Sequence, residues 1–299
     1  MNEIDITIGV PTYNEEANIL KFFKALKDQL LTHHGSAEII FIDDSEDKTA
    51  QIIADLRLSN PELNVHLIHN NDRKGASHAW NTIFRTAKGK VLILLDADIE
   101  LGENFISMLA RNINGAVGLC ASNTIPLKKD NSIYSHAASF IANWLRSIRL
   151  HGLSQYTTMG RALALDTQLA KDISIPNETI AIDLYVQCMI IKQNKNVVYE
   201  DNAMIYFITP NNSKDFFSQI VRAIKGYDQI KDITKSLKFN APISLVIKEF
   251  LKNSKLYPRG AISLLLCYCI FPLFYAKNSS KVSHTWEIAL STKNKTTIF

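Results

Sequence analysis

Val91-Leu92-Ile93-Leu94-Leu95-Asp96-Ala97-Asp98 is the stretch on which the reading of the whole chain turns. Five apolar residues following Gly89-Lys90 read as a strand buried on both faces of a parallel sheet. Such a strand rarely ends in two acids unless a cation is held there, because an unpaired desolvated carboxylate is costly. Spaced i and i+2, Asp96 and Asp98 can both lean toward one Mg²⁺ or Mn²⁺, ions that prefer hard oxygen ligands. Asp-x-Asp also occurs in ordinary loops, so its surroundings carry the weight.

Outward from that strand, the first 122 residues alternate between two periods. Apolar runs at 6–10, 39–42, 65–68, 91–95 and 117–121 predict strands, and helical patterns fall near 15–31, 47–57, 76–87 and 103–112. Alternation of this kind predicts an α/β fold, a mainly parallel sheet flanked by helices, with ligands at the carboxyl ends of the strands. Three of those ends carry polar or special residues: Pro11-Thr12-Tyr13-Asn14, Asp43-Asp44 and Asp96-Ala97-Asp98.

Each turn has a structural and a chemical reading. Pro11 fixes the exit from the first strand, and Asn14 reads as an N-cap with Glu15 and Glu16 at the positive helix end. Tyr13 is left over, with a ring that could border a nucleobase. Of Asp43 and Asp44, one carboxylate can accept from a base N–H while the other caps the next helix, where Asp47 and Thr49 look structural. Arg73-Lys74-Gly75 stands before a helix, a setting that suits a diphosphate. His78 reads as a packed helix residue. Neither a Walker A pattern nor G-x-G-x-x-G occurs in the chain.

Later, a helix is expected near 133–150, another after Asp183, strands near 196–200 and 203–208, and a helix from Ser213 to about Lys231. Beyond Phe239 the character changes. Ile243, Val246, Ile247, Phe250 and Leu251 form one stripe with Lys248, Lys252 and Lys255 opposite, a basic amphipathic helix. Sixteen residues without a charge follow, Ala261 to Ala276, interrupted by Pro272. A spanning helix needs about 20 apolar residues, so this one reads first as interfacial or re-entrant and second as a short span. The alternative is that both segments are core helices.

The chain has 299 residues and 46% apolar content, enough for one large domain with an appendage. Its net charge of +4 divides unevenly: about +8 lies from Lys225 onward and about −4 elsewhere. An anionic membrane surface fits that asymmetry, whereas nucleic acid does not, because no binding motif accompanies the lysines. Cys120, Cys188, Cys267 and Cys269 lack zinc spacing and read as buried reduced thiols. The start at Met1-Asn2-Glu3-Ile4-Asp5 shows no signal peptide, so no secretion is expected.

In order along residues 4–230, the chain resembles the family-2 glycosyltransferases, nucleotide-sugar enzymes of the GT-A α/β type. The pieces are Pro11-Thr12-Tyr13-Asn14-Glu15, Asp43-Asp44-Ser45, Lys74-Gly75 with Ala79 and Asn81, Asp96-Ala97-Asp98, Gly160-Arg161-Ala162-Leu163-Ala164, Ile182-Asp183, and Gln219 with Arg222. The resemblance implies a catalytic domain over 1–230, split near 122 into nucleotide and acceptor halves, and a C-terminal membrane-associating region over 231–299. It implies Pro11, Tyr13 and Glu15 along the nucleoside, Asp44 at the base, and Arg73 or Lys74 near the donor. Asp98 would bind Mn²⁺ or Mg²⁺, with Asp96 shared between ribose and metal, and Asp183 would be the general base. Arg222 would reach the diphosphate of a UDP-sugar, with a GDP-sugar as second choice.

Two departures qualify this. Ile182 stands where the family's Glu precedes the base, and Ala223 stands where processive synthases carry Trp. A single-sugar transfer to a lipid-linked or membrane-proximal acceptor, at the cytoplasmic face of the membrane, is therefore expected. The rivals are a nucleotidyltransferase, which would want a glycine-rich loop after the first strand, and a non-catalytic nucleotide-binding membrane scaffold.

Overall fold

A computed structural model describes residues 4–33, 35–157, 160–238 and 241–278. The expected 277–299 charge surplus therefore lies almost wholly outside the described residues, as do Thr158 and Met159. In chain order the elements are β1 (Ile6–Thr12), α1 (Ile19–Thr32), β2 (Ala37–Asp43), α2 (Thr49–Ser59), β3 (Asn64–His69), α3 (Ala76–Thr86), β4 (Val91–Leu95), β5 (Ile99–Leu101) and α4 (Phe105–Ala110). There follow β6 (Val117–Leu127), α5 (Ile133–Arg149), β7 (Ala162–Asp166), α6 (Thr167–Lys171), α7 (Ile182–Lys192), β8 (Asn196–Ile208), α8 (Ser213–Ser236), α9 (Ile243–Leu256) and α10 (Pro258–Asn278).

One sheet holds all eight strands in the order β3-β2-β1-β4-β7-β6-β8-β5. The first four pair in parallel, and the apolar runs of β1, β2 and β4 are buried on both faces, as the lack of alternation in Val91–Leu95 predicts, while β3 at the edge leaves Ile68 exposed. One core packs α1 and α4 beneath the sheet and the other packs α3 and α7 above it. The carboxyl ends of β1, β2 and β4 consequently share one edge.

The second half departs from the simple alternating pattern. β7 pairs antiparallel with both β4 and β6, and β8 runs parallel to β6. Neither β7 nor the three-residue β5 is legible as a strand in the sequence, being short and without period-2 alternation. The two strands expected near 196–200 and 203–208 are one, with a register shift opposite Ser122 and Asn123.

Asn14 is not a helix cap. Its backbone sits in the left-handed region at φ 53°, and α1 begins only at Ile19. The Asn14 N–H donates to Ser45 Oγ at 2.8 Å and its side-chain oxygen accepts from the Glu46 N–H at 2.9 Å. It therefore ties the turn after β1 to the turn after β2.

Residue 230 lies inside α8, and the helices beyond it pack on the rest of the chain. Trp144 Nε1 on α5 donates to the Val246 carbonyl at 3.1 Å, and Phe250 rests against Phe140 and Trp144. α10 covers Ala137, Phe216 and Phe217, and continues through Pro272 without a break. The amphipathic stripe of α9 is split by this docking. Glu249 and Asn253 are buried, with Glu249 accepting from His151 at 2.9 Å, while Ile243, Ile247 and Leu251 are exposed. Of the four thiols, Cys269 is exposed, against expectation, because it lies on the outer face of α10.

Candidate active site

A cleft of about 420 Å³ opens at the carboxyl edge of β1, β2 and β4, closed from the other side by α7 and α8. Strand ends supply its floor because their backbone groups stop pairing there and leave side chains free to face a ligand. Pro11, Tyr13, Glu15, Asp44, Arg73, Asp96, Asp98, Asp183 and Arg222 all line it, whereas Lys74 does not. The backbone N–H of Lys74 is used instead, donating to Asp44 Oδ2 at 2.9 Å.

The two acids after β2 divide their work. Asp43 is fully buried and accepts from Thr12 Oγ1 at 2.6 Å and from Ser45, with His69 Nδ1 at 2.7 Å. Asp44 faces the cleft and also accepts from Asn70 Nδ2 at 2.8 Å and the Gly75 N–H at 2.7 Å. Those bonds fold the 70–75 loop back, so that Arg73 lies 3.7 Å above the centre of the Tyr13 ring. Gly75 permits the fold with φ 85°.

At the end of β4, the Asp96 N–H donates to the Arg161 carbonyl at 2.9 Å, and Arg161 Nη1 stands 3.3 Å from Asp98 Oδ1. Burial, then the neighbouring Asp98 charge, pushes the Asp96 carboxyl up to about 7, against the pull of Arg161 and Arg222. Two mutually repelling carboxylates in one cleft fit a hard divalent cation. Among the described residues no three His, Cys, Asp or Glu side chains cluster, so a cation held by this pair would need further oxygen ligands from substrate or water.

Asp183 occupies the first turn of α7, and burial raises its carboxyl above the ordinary range. Gly160 lies against it: a Cβ there would be 3.0 Å from Asp183 Oδ2. Arg222, from α8, is held in the fields of both Asp183 and Asp96. Ile182 is buried in the upper core, where it packs and contributes no charge.

Gly226 sets the distance between α8 and α7. A Cβ there would stand 2.6 Å from Ala181 Cβ and 3.0 Å from the Ala181 nitrogen. Gly226→Val should therefore cost about 1–3 kcal/mol by overpacking, more than the few tenths that Val offers over Gly in helix propensity. Chemical denaturation would read the loss; unchanged stability would show that the helices separate freely.

Sequence reading assigned no role to Arg161, Trp80 or Arg149. Arg161 and Trp80 line the cleft, and Arg149 is a buried guanidinium whose Nε donates to Thr157 Oγ1 at 3.0 Å and whose charge reaches Asp183. Arg161 lies within the Gly160–Ala164 motif, but only the antiparallel insertion of β7 brings it to Asp98. No local signal marks Arg149, which lies at the end of an amphipathic helix.

The raised Asp96 carboxyl has a consequence for stability. Its folded-state value lies above the unfolded value of about 4, so the folded protein holds that proton more tightly. The contribution is fully present below about pH 4 and is lost as pH rises through about 7. Metal-free Asp96→Asn should therefore gain thermal stability relative to wild type over that interval; a difference independent of pH would contradict the burial argument.

Residues 7–161, just over half of the chain, match the family model described as glycosyl transferase family 2. A dolichol-phosphate mannosyltransferase of Pyrococcus furiosus is 30% identical over 112 residues, covering 37% of this chain and 31% of that protein. An undecaprenyl-phosphate 4-deoxy-4-formamido-L-arabinose transferase of Pectobacterium carotovorum is 26% identical over 160 residues, 53% of this chain and 48% of that one. The chain thus spans 31% and 48% of the length of these two relatives. Among solved structures, a Pyrobaculum calidifontis mannosyltransferase in complex with GDP-Man and Mn²⁺ superposes with a TM-score of 0.60 at 17% identity, covering 93% of this chain and 80% of that one. Residues 1–349 of S. aureus TarS with UDP-GlcNAc give a TM-score of 0.53 at 19% identity, covering 84% and 72%. At such identities the likeness establishes the fold, a GT-A sheet with its flanking helices. With the motifs of residues 7–161 gathered at one strand edge and matching the family model over that same span, the chain belongs to glycosyl transferase family 2.

Proposed function

We propose that the protein is an inverting, metal-dependent glycosyltransferase that moves one sugar from a nucleoside-diphosphate sugar to a hydroxyl of a lipid-linked or membrane-proximal acceptor. The observation that carries this is the meeting of Asp96 and Asp98 with Asp183 in one cleft, with Arg222 in the field of both sets. Tyr13, Glu15, Asp44 and Arg73 would hold the nucleoside, and Arg222 the diphosphate. Asp183 would take the acceptor's proton as its oxygen attacks the anomeric carbon, while the bond from that carbon to the diphosphate oxygen breaks. Asp98 and Asp96 would hold the cation, which would supply charge neutralisation for the departing diphosphate. A carboxyl raised by burial is a stronger base once ionised, which suits Asp183 to the task.

The relatives' names, with dolichol-phosphate and undecaprenyl-phosphate in them, support a lipid-linked acceptor. The two superposed structures carry one GDP-sugar and one UDP-sugar, so both remain donors to test, UDP-sugar first and GDP-sugar second as the family resemblance implies. Thermal-shift screening of UDP- and GDP-sugars with Mn²⁺ tests the donor, since a ligand stabilises the fold by mass action. No stabilisation by any of them would sink the donor-site reading. UDP or GDP released from a donor only when Mn²⁺ or Mg²⁺ is present would separate an enzyme from a scaffold.

The outer faces of α9 and α10 support docking at the cytoplasmic face of an anionic membrane. Pro258–Ala276 is long and apolar enough to cross a membrane, with a mean hydropathy of 1.6. Its inner face, however, packs on α5 and α8, which favours a helix lying in the interface over one that spans it. Leu251, Leu265 and Leu273 are 57%, 57% and 77% exposed, with Lys248, Lys252 and Lys255 nearby in sequence. Deleting 241–299 would strip the cover from Phe140, Trp144 and Phe217, so surface substitutions are the cleaner probe. Replacing Leu251, Leu265 and Leu273 together by Ser should weaken co-sedimentation with phosphatidylglycerol vesicles at least about tenfold, on a burial worth of about 1.5–3 kcal/mol per fully buried side chain. Unchanged binding would remove the membrane from the proposal.

A further inference from the structure

Arg161 combines three features that no donor-binding role requires together. Its backbone is left-handed at φ 70°, a conformation that costs a residue with a Cβ about 1–2 kcal/mol. Its carbonyl fixes the Asp96 N–H, so the strained position is held by the pairing of the sheet edge. Its guanidinium stands beside Asp98 and lies 4.5 Å from the centre of the Phe207 ring, with both charged side chains mostly buried. A stacked guanidinium can slide over a ring face while keeping its packing, unlike one held by a bidentate carboxylate.

We propose that Arg161 is a resident counter-ion of Asp98, which cedes that carboxylate to the divalent cation only when a diphosphate arrives to receive the guanidinium. This rests on the reading of Asp96 and Asp98 as the cation site. A cation entering alone must break the Arg161–Asp98 pair and set its own positive charge beside a mostly buried guanidinium, which is costly. A cation entering with a nucleoside diphosphate breaks the same pair, but the phosphate oxygens in the cleft take over the guanidinium. Metal and nucleotide are thereby coupled, each raising the affinity of the other by the same factor. The exchange also keeps a dication off the two carboxylates between turnovers.

The test is Mn²⁺ binding by the full chain, read by electron paramagnetic resonance of the free ion, with and without UDP or GDP. Arg161→Asn removes the guanidinium and suits a left-handed backbone. It should bind Mn²⁺ alone at least about tenfold more tightly than wild type, a coupling within the usual 5–150-fold range. The nucleotide should then raise Mn²⁺ affinity strongly in wild type and little in the variant. Phe207→Leu loosens the same pair without touching the strained position, and should shift Mn²⁺ affinity in the same direction; it serves if Arg161→Asn does not fold. Unchanged or weaker Mn²⁺ binding in the folded variant, with normal binding in the presence of nucleotide, overturns the exchange alone. If wild type binds no Mn²⁺ even with UDP or GDP, the cation site itself is wrong and the exchange falls with it.

Discussion

Asp183→Asn should lower turnover by about 10³-fold, within the 10²–10⁴ typical of a positioned general base, while donor affinity changes by no more than a few fold. The amide has nearly the same shape and accepts the same contact from the first turn of α7, so the cleft should keep its form. What is lost is a site for the acceptor's proton. The measurement is a split between turnover and donor dissociation constant, the latter from thermal shift with Mn²⁺ and nucleotide. The outcome also reports on the acceptor. A hydroxyl nucleophile must lose a proton as it attacks, whereas a phosphate oxygen arrives already ionised. Near-normal turnover in Asp183→Asn would remove Asp183 as base and favour an acceptor that attacks through an ionised oxygen.

Asp98→Asn should abolish the stabilisation that Mn²⁺ adds to nucleotide binding, and reduce turnover by more than about 10²-fold, through loss of charge neutralisation at the diphosphate. The substitution removes one of two carboxylates and takes away the Asp98 oxygen that stands 3.3 Å from Arg161. Asp96→Asn should be milder in nucleotide binding near pH 7, because burial already holds that carboxyl partly protonated there in the absence of metal. Thermal shift with UDP or GDP, with and without Mn²⁺, orders the two variants. An Asp98→Asn protein that keeps a full Mn²⁺-dependent shift would place the cation elsewhere.

The nucleotide half of the fold was the more legible. Val91–Leu95, Ile39–Ile42 and Ile6–Val10 are continuous apolar runs because parallel strands are buried on both faces, and each ends where the described strand ends or one to two residues earlier. β7 and β5 escaped because strands of five and three residues have too few positions to display a period. α9 was legible only in part. Its apolar stripe is real, yet docking against Trp144 and His151 turns Glu249 inward and leaves Ile243 and Ile247 facing out.

By itself, then, the sequence determined the strand edge that bears the chemistry, the acids at its ends and the basic apolar character of the C-terminal helices. These are properties of local period and residue type, which a single segment displays without its neighbours. The family resemblance pointed to Asp44, but only the tertiary structure decided that Asp43 is buried behind it, that Arg73 rather than Lys74 lines the cleft and stacks on Tyr13, and that Arg161 meets Asp98. Each of those depends on a contact between segments some 30 to 65 residues apart, where hydrogen-bond geometry and strand register select one partner among several chemically equal candidates.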